Sequence, residues 1–289
     1  LVQMVERCGG VPIVVEGEWG RAVDPDALRS TLSRHPSARL VMFVHAETST
    51  GALSDARTLT SVAHEHDCLV VVDAVTSLGG SPLEVDAWGV YSGTQKCLSC
   101  APGLSPITVG ERAVQRIQKR KTPVQSWFMD LGLVMSYWTG DGKRSYHHTA
   151  PINALYGLHE SLLILHEEGI EEAWTRHERN HRALRAGLEA LGLRYVVPEG
   201  ERTPQLNAVW VPEGVDDARV RSRLLEEHGL EIGAGLGDFA GKVWRIGLMG
   251  HSSRWENIEL CLTALASALA AEGVRVDGTG AVTAAREAM

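Results

Sequence analysis

The chain has 289 residues, of which 44% are hydrophobic and 22% charged, so it can bury the core of one or two domains. Its formal net charge is −8 and it has no basic stripe, which excludes the usual nucleic-acid binder. No run of about 18 apolar residues predicts a membrane span, and five cysteines in a chain of this length do not indicate a disulfide framework. We therefore expect a cytosolic protein.

The first elements are short. Apolar residues at helical spacing predict the end of a helix over Leu1–Cys8, and Gly9-Gly10 ends it. No helix start and no signal peptide precede it, so we expect the chain to lack its beginning. Val11–Val15 predicts a strand, and Asp24-Pro25 begins a helix.

Two apolar runs predict neighbouring strands of a parallel sheet. Leu40–His45 and Leu69–Val72 are separated by a helix that Ser54-Asp55 begins, which is a strand–helix–strand unit. The second run ends on an acid, Asp73. Ligands of open α/β sheets bind beyond the carboxyl ends of the strands, so Asp73 lies at the predicted binding edge.

A lysine follows the next strand-like segment. Val90-Tyr91 leads into Ser92-Gly93-Thr94-Gln95-Lys96. A strand-end aspartate and a lysine in this setting suggest pyridoxal phosphate chemistry, in which the lysine holds the cofactor and the aspartate pairs with its ring nitrogen. Taken alone, Asp73 could instead cap a turn and Lys96 could be a solvated surface residue.

Five ordered motifs carry a resemblance to a known family. They are the segments 45–51 (HAETSTG), 72–80 (VDAVTSLGG), 92–96 (SGTQK), 146–149 (YHHT) and 244–248 (WRIGL). Together they resemble the alanine–glyoxylate and serine–glyoxylate aminotransferases, which are class V enzymes of pyridoxal phosphate fold-type I. The similarity covers residues 1 to about 271. It implies an α/β/α large domain with a mostly parallel sheet and a smaller α/β domain.

The resemblance also assigns the catalytic residues. Lys96 would hold the cofactor as a Schiff base and move the proton of the reaction, while Asp73 would keep the pyridine ring protonated. Arg245 lies in an apolar strand, where a guanidinium needs a partner, and by resemblance it binds the substrate carboxylate. A structural ion pair is the alternative for Arg245.

Further cofactor contacts are implied by the same motifs. Thr48, Ser77 and Gln95 would lie beside the cofactor in the same subunit. Tyr146 and Thr149 would reach the phosphate bound by the neighbouring subunit, because hydroxyls are suitable donors to phosphate. The resemblance therefore implies a homodimer with small amino-acid and 2-oxo-acid substrates, and no nucleic-acid or membrane partner.

The predicted domain division follows the elements of the second half. Residues 1–168 form the large domain, which ends with an apolar helix over Asn153–Glu168, and residues 169–271 form the small domain. The small domain contains helices over 169–191, 216–228 and 254–271 and strands over 194–197, 208–211, 230–232 and 243–248. The Gly/Thr/Ala-rich residues 272–289 predict a mobile tail.

The predicted activity is transamination of alanine or serine with glyoxylate. No second arginine in a similar setting is evident that could bind a distal carboxylate. This favours small substrates over glutamate. Ureidoglycine or an aminophosphonate is an alternative donor. A cysteine desulfurase is disfavoured, because those relatives place a histidine before the lysine and here Gln95 stands there. An inactive dimerising remnant is the other alternative, since relatives carry an upstream phosphate loop and a longer segment at Gly89–Tyr91.

Three other motifs do not predict function. His64 and His66 lie two residues apart and so on different faces of a helix, which disfavours a metal site. Cys97 and Cys100 have no second ligand pair for zinc. The Gly-rich segment 233–237 leads into a strand rather than a helix, which excludes a dinucleotide loop. We predict no metal.

Overall fold

The computed structural model describes residues 1–85, 87–139 and 145–289. Asp86, in the short segment before Tyr91, lies outside the described residues. The helices are α1 (Val2–Arg7), α2 (Pro25–Arg34), α3 (Ala56–Glu65), α4 (Glu111–Gln118), α5 (Leu131–Thr139), α6 (Ile152–Glu168), α7 (Ile170–Ala190), α8 (Asp217–His228), α9 (Trp255–Ala271) and α10 (Gly278–Glu287). The strands are β1 (Leu40–Val44), β2 (Leu69–Asp73), β3 (Gly89–Tyr91), β4 (Ile107–Val109), β5 (Leu206–Trp210), β6 (Gly233–Ala234) and β7 (Val243–Gly247). None of these helices is long and apolar enough to cross a bilayer.

The first sheet has the order β1-β2-β3-β4, with β1, β2 and β3 parallel and β4 antiparallel to β3. The register pairs Asp73 with Val44 on one side and with Tyr91 on the other. Val70 and Val72 are fully buried against α3, because every second residue of β2 faces this helix. The predicted strand–helix–strand unit is confirmed, and it places Asp73 at the carboxyl edge of the sheet.

The second sheet has the order β5-β7-β6 and is antiparallel. Trp244 of β7 is fully buried, and it belongs to an apolar core with Leu184 of α7 and Leu262 of α9. The Trp244 indole donates to Asp217 Oδ1 at 2.9 Å, so its polar atom is satisfied inside the core. Arg245 therefore follows a residue that fixes β7 firmly to the helices behind it.

The loop after β1 is bound through its backbone to the segment that leads into β5. The Thr203 amide donates to the Gly51 carbonyl at 2.8 Å, and the Leu53 amide donates to the Glu201 carbonyl at 2.7 Å. Gly51 has a φ of +86°, and a Cβ there would lie 2.7 Å from the Leu206 carbonyl oxygen. Only glycine fits this close approach of two backbones. The two sheets are thus joined beside the predicted cofactor edge.

The prediction of a mobile tail over residues 272–289 was wrong. Asp277 caps α10, its carboxylate accepting from the Gly280 amide at 2.9 Å. Ala281 and Ala285, four residues apart on one face, are fully buried in the core that contains Leu184. Glycine, threonine and alanine indicated mobility by composition, but small side chains also allow a helix to pack closely.

Three predicted strands were wrong or displaced. Residues 11–15 form no strand, and Val11 is 87% exposed. Residues 194–197 contribute a single bridge, Tyr195 to Val209, rather than a strand. The strand predicted over 230–232 begins later, as β6. Residues 194–197 do lie beside β5, since the Val196 amide donates to the Ala208 carbonyl at 3.0 Å, but the pairing is too short to form a strand.

Candidate active site

Asp73 lies at the carboxyl end of β2 with both carboxylate oxygens engaged. Oδ1 accepts from the Val75 amide at 2.9 Å, and Oδ2 accepts from the Tyr91 hydroxyl at 2.6 Å. Burial raises the pKa of Tyr91, and its bond to Asp73 adds to the shift, so the phenol stays protonated and donates. These two donors fix the orientation of the Asp73 carboxylate. Asp73 is half-buried and retains free lone pairs for a cationic ring nitrogen.

Lys96 lies on a turn that follows β3. Its carbonyl accepts from the Ser99 amide at 3.0 Å, and its side chain is half-buried. The neighbouring Cys97 thiol is buried and lies 3.3 Å from the Thr76 carbonyl oxygen. The Lys96 turn therefore packs on the segment that leaves Asp73. Gln95 is exposed, and its amide group folds over Gly93, where a Cβ would lie 2.4 Å from the Gln95 Oε1 atom.

His45 and Ser77 form a buried polar pair behind this edge. His45 Nδ1 lies 2.8 Å from Ser77 Oγ. Burial lowers the pKa of His45 to about 4, with a small opposing effect from Asp55, so the imidazole is neutral at pH 7. The His45 amide also donates to the Asp73 carbonyl at 2.9 Å. Ser77, predicted at the cofactor, is thus fixed to the element next to Asp73.

Arg245 reaches from β7 to the loop after β1. Its Nε atom donates to the Ala234 carbonyl at 2.7 Å, and Nη1 donates to the Thr48 carbonyl at 2.8 Å. Burial lowers the pKa of Arg245 and Glu47 partly offsets this, but a guanidinium remains charged. No ion pair to a carboxylate involves Arg245 in the described part of the chain. One hydrogen of Nη1 and both of Nη2 are left to bind an anion.

Tyr146 and Thr149 lie apart from this group. The Tyr146 hydroxyl and Thr149 Oγ1 are 2.6 Å apart, and the Tyr146 ring packs edge-on against Tyr137. Tyr146 is 70% exposed. Neither residue contacts Asp73 or Lys96 within the described chain. Their role toward a neighbouring subunit stays a prediction.

The residues of this edge suit pyridoxal phosphate. A protonated ring nitrogen needs a carboxylate partner, and the Asp73 carboxylate is held in place at this edge by two donors. The cofactor aldehyde bonds to a primary amine, and Lys96 supplies such an amine on the turn that follows β3. Ser77 is fully buried and its hydroxyl is bonded to His45, so the contacts of Thr48 and Ser77 with the cofactor stay a prediction. Within the described ranges, no group of three or more His, Cys, Asp or Glu side chains is placed to hold a metal ion.

Two residues of the site were not assigned from the sequence. Tyr91 belongs to a predicted strand, but its residue type does not identify it as a partner of Asp73, and His45 stands in a family motif without a predicted role of its own. The signal for Tyr91 is the register of parallel strands, which puts the last residue of β3 beside the last residue of β2. The signal for His45 is its position one residue beyond β1, at the same edge.

The comparisons with known proteins agree with this arrangement. The model of the family "Aminotransferase class-V" matches residues 1–245. The alanine–glyoxylate aminotransferase of Callithrix jacchus is 41% identical over 295 residues, which cover 93% of this chain and 71% of that protein. The crystal structure of alanine–glyoxylate aminotransferase from Nostoc sp. superposes with a TM-score of 0.89 at 42% identity, covering 93% of this chain and 71% of that one.

A second solved structure matches more of the chain. The ureidoglycine–glyoxylate aminotransferase of Bacillus subtilis superposes with a TM-score of 0.93 at 35% identity, covering 99% of this chain and 74% of that one. The predicted fold-type I architecture is therefore confirmed, and so is the predicted aminotransferase class. The chain belongs to the class-V family of aminotransferases.

Proposed function

We propose that this aminotransferase uses pyridoxal phosphate to transfer the amino group of alanine or serine to glyoxylate, giving a 2-oxo acid and glycine. The observation that carries the proposal is Arg245, a half-buried guanidinium held by two backbone carbonyls and lacking an ion pair in the described chain. Such a group fits a substrate carboxylate. The relatives named for glyoxylate support this acceptor.

The cofactor and the chain have separate tasks. Pyridoxal phosphate, when bound, supplies an aldehyde that bonds to amines and a protonated ring that withdraws electrons. Lys96 would bind the cofactor and, once displaced by the amino donor, would take the proton from the substrate Cα as a free amine. Asp73 would keep the ring nitrogen protonated, with Tyr91 and the Val75 amide holding its carboxylate in place.

Arg245 would orient the substrate. The anchoring of Nε and Nη1 fixes the plane of the guanidinium before any substrate arrives, which reduces the entropy lost on binding. A carboxylate bound to the remaining hydrogens holds the Cα–H bond in one direction relative to Lys96. Both half-reactions need this contact, because the amino acid and the 2-oxo acid each carry an α-carboxylate.

A homodimer is part of the proposal. Tyr146 is exposed at a motif that the family resemblance places at a neighbouring subunit. The α6 helix supports an apolar interface, since Ile152, Tyr156 and Ile164 are all more than half exposed. Sedimentation of the purified chain tests this: a mass of two chains is expected, and a monomer at micromolar concentration would contradict it.

Ureidoglycine is the alternative donor, because the Bacillus subtilis relative is named for it. The test supplies glyoxylate with ¹⁵N-labelled alanine, serine or ureidoglycine in separate reactions containing pyridoxal phosphate. Labelled glycine from alanine or serine supports the proposal. Labelled glycine only from ureidoglycine supports the alternative, and no labelled glycine from any donor would refute the glyoxylate acceptor.

A further inference from the structure

The turn that carries Lys96 is supported by a second turn from the small domain. The second turn is the 3₁₀ segment Gly250–Ser252, which follows β7. Ser99 Oγ accepts from the His251 amide at 2.8 Å. Ser99 has a φ of +59°, an uncommon conformation for a residue with a side chain, so its turn needs outside support.

Gly250 makes this contact close. Its φ is +54°, and a Cβ there would lie 2.0 Å from Ser99 Oγ and 2.8 Å from the Cys97 carbonyl oxygen. Any larger residue would push the two turns apart. The position of the Lys96 backbone is therefore coupled to the position of Gly250.

Helix α7 holds both backbone groups of Gly250. The Gly250 amide donates to His177 Nε2 at 2.9 Å, and the Gly250 carbonyl accepts from Arg176 Nη1 at 2.8 Å. His177 Nδ1 lies 2.6 Å from the Ala173 carbonyl oxygen, which requires the proton on Nδ1 and leaves Nε2 as an acceptor. Burial lowers the pKa of His177, which favours this neutral form.

Arg176 connects the turn to the junction of α6 and α7. It forms a bidentate ion pair with Glu168, the last residue of α6, and also donates to the Ser253 carbonyl at 2.8 Å. The Asn180 amide group donates to the same Ser253 carbonyl at 2.7 Å. The turn is thus held at its first residue and just beyond its last one by a single helix.

We propose that Arg176 and His177 are positioning residues for Lys96. They act through Gly250 and Ser99 and have no contact with substrate. The proposal rests on the proposed function, since it assumes that Lys96 binds the cofactor. If the Gly250 turn moves, the Lys96 turn loses its support, and the amine spends less time where it can reach the aldehyde.

The test compares His177→Leu, His177→Gln and His181→Leu. Leucine removes the acceptor for the Gly250 amide, whereas the glutamine amide oxygen can replace it. His181 is the matched control, because it is also buried on α7 but is bonded at 2.7 Å to Asn207 in the small-domain core. Removing the His181 imidazole should lower the free energy of unfolding without changing the position of the Lys96 turn.

The readouts are the rate at which each purified protein captures pyridoxal phosphate, followed by absorbance, the fraction of Lys96 labelled after borohydride, and the thermal midpoint. We expect His177→Leu to slow capture about tenfold, the effect of one buried unpaired amide, and His177→Gln to recover most of the rate. His181→Leu should match His177→Leu in midpoint but capture at the wild-type rate.

Ser99→Ala is a second variant that leaves the core intact. It removes the acceptor for the His251 amide on an exposed residue and should also slow capture, although less than His177→Leu. Wild-type capture rates in both Ser99→Ala and His177→Leu would overturn the positioning role, and so would equal slowing in His181→Leu. If the wild-type chain is not labelled on Lys96, the proposed function itself is refuted. If the wild type is labelled but the variants behave as the wild type does, only the positioning role is refuted.

Discussion

Arg245 Nη1 donates to the Thr48 carbonyl oxygen at 2.8 Å, and this bond joins the small antiparallel sheet to the loop after the first strand of the large sheet. The group proposed to bind the substrate carboxylate is therefore anchored on a residue proposed to touch the cofactor. The Gly51 carbonyl, three residues along the same loop, accepts from the Thr203 amide at 2.8 Å. The geometry between the two binding positions is set by backbone groups.

Replacing Arg245 with lysine tests this anchoring. An ammonium group cannot make both backbone bonds and still present a planar fork to a carboxylate. We expect KM for both the amino acid and the 2-oxo acid to rise about 10- to 100-fold, since hydrogen bonds to charged groups contribute about 1.5–3 kcal/mol each. Arg223→Lys, at an ion pair within α8, is the control and should leave KM unchanged. Wild-type KM values in Arg245→Lys would contradict the assignment.

Replacing Asp73 should lower kcat much more than replacing Tyr91. Asp73→Asn removes the negative charge expected to keep the ring nitrogen protonated, and we expect kcat to fall by at least about 100-fold. Tyr91→Phe removes a single donor to that carboxylate, so we expect a loss of about tenfold or less. Steady-state kinetics at saturating cofactor measures both. Equal losses would mean that Asp73 acts only as a hydrogen-bond partner of Tyr91.

His45 should make the fold less stable in acid. The pKa of His45 is lowered by burial from 6.5 to about 4, so below pH 6.5 the unfolded chain binds a proton that the folded chain does not. The contribution of the neutral His45 to the free energy of unfolding is therefore present above pH 6.5 and is lost as the pH falls toward 4. The linkage gives a loss of about 2 kcal/mol between pH 7 and pH 5.

Urea unfolding of the wild type and of His45→Gln at both pH values measures this contribution. His177 and His181 shift stability in the same direction, because burial also lowers the pKa of each. Subtracting the pH dependence of the variant from that of the wild type removes the contributions of His177 and His181, which both proteins share. A pH dependence that is unchanged in His45→Gln would show that His45 does not titrate as the structure indicates.

The C-terminal helix α10 should be required for the stability of the core that contains Leu184 and Leu262. Ala281→Asp places a carboxylate in a fully buried position of α10, and we expect the free energy of unfolding to fall by about 3 kcal/mol or more. Thr283→Asp, on the exposed side of the same helix, is the control and should cost less than about 1 kcal/mol. Chemical denaturation distinguishes a packed α10 from the mobile tail that composition predicts.

The sequence predicted the first sheet well because β1 and β2 are apolar runs, in which every second residue is buried in the core with α3. Leu69–Val72 can only be a buried element, and an acid directly after it must lie at the end of the strand. The same reasoning failed at Val11–Val15, because β-branched residues indicate a strand only if another strand lies beside them. It failed at α10 because a composition rich in alanine and glycine is found both in mobile tails and in helices that pack closely.

The site was predictable where a residue type has few other uses. A lysine after a strand-end aspartate and an arginine in an apolar strand each needed a chemical explanation. Tyr91 and His45 have many possible uses, so only the register between strands identified them. The support of Lys96 by Gly250 could not be read from the sequence, since it joins residues about 150 positions apart through backbone atoms.

The most direct test of the central claim is to mix the purified chain with pyridoxal phosphate, reduce the mixture with borohydride, and map the modified lysine by mass spectrometry. We predict a visible absorbance band that disappears on reduction, a single label on Lys96, and neither band nor label in Lys96→Ala. That variant should also lose at least about 1,000-fold in amino transfer. A label scattered over exposed lysines, or substantial turnover by Lys96→Ala, would contradict the assignment of Lys96.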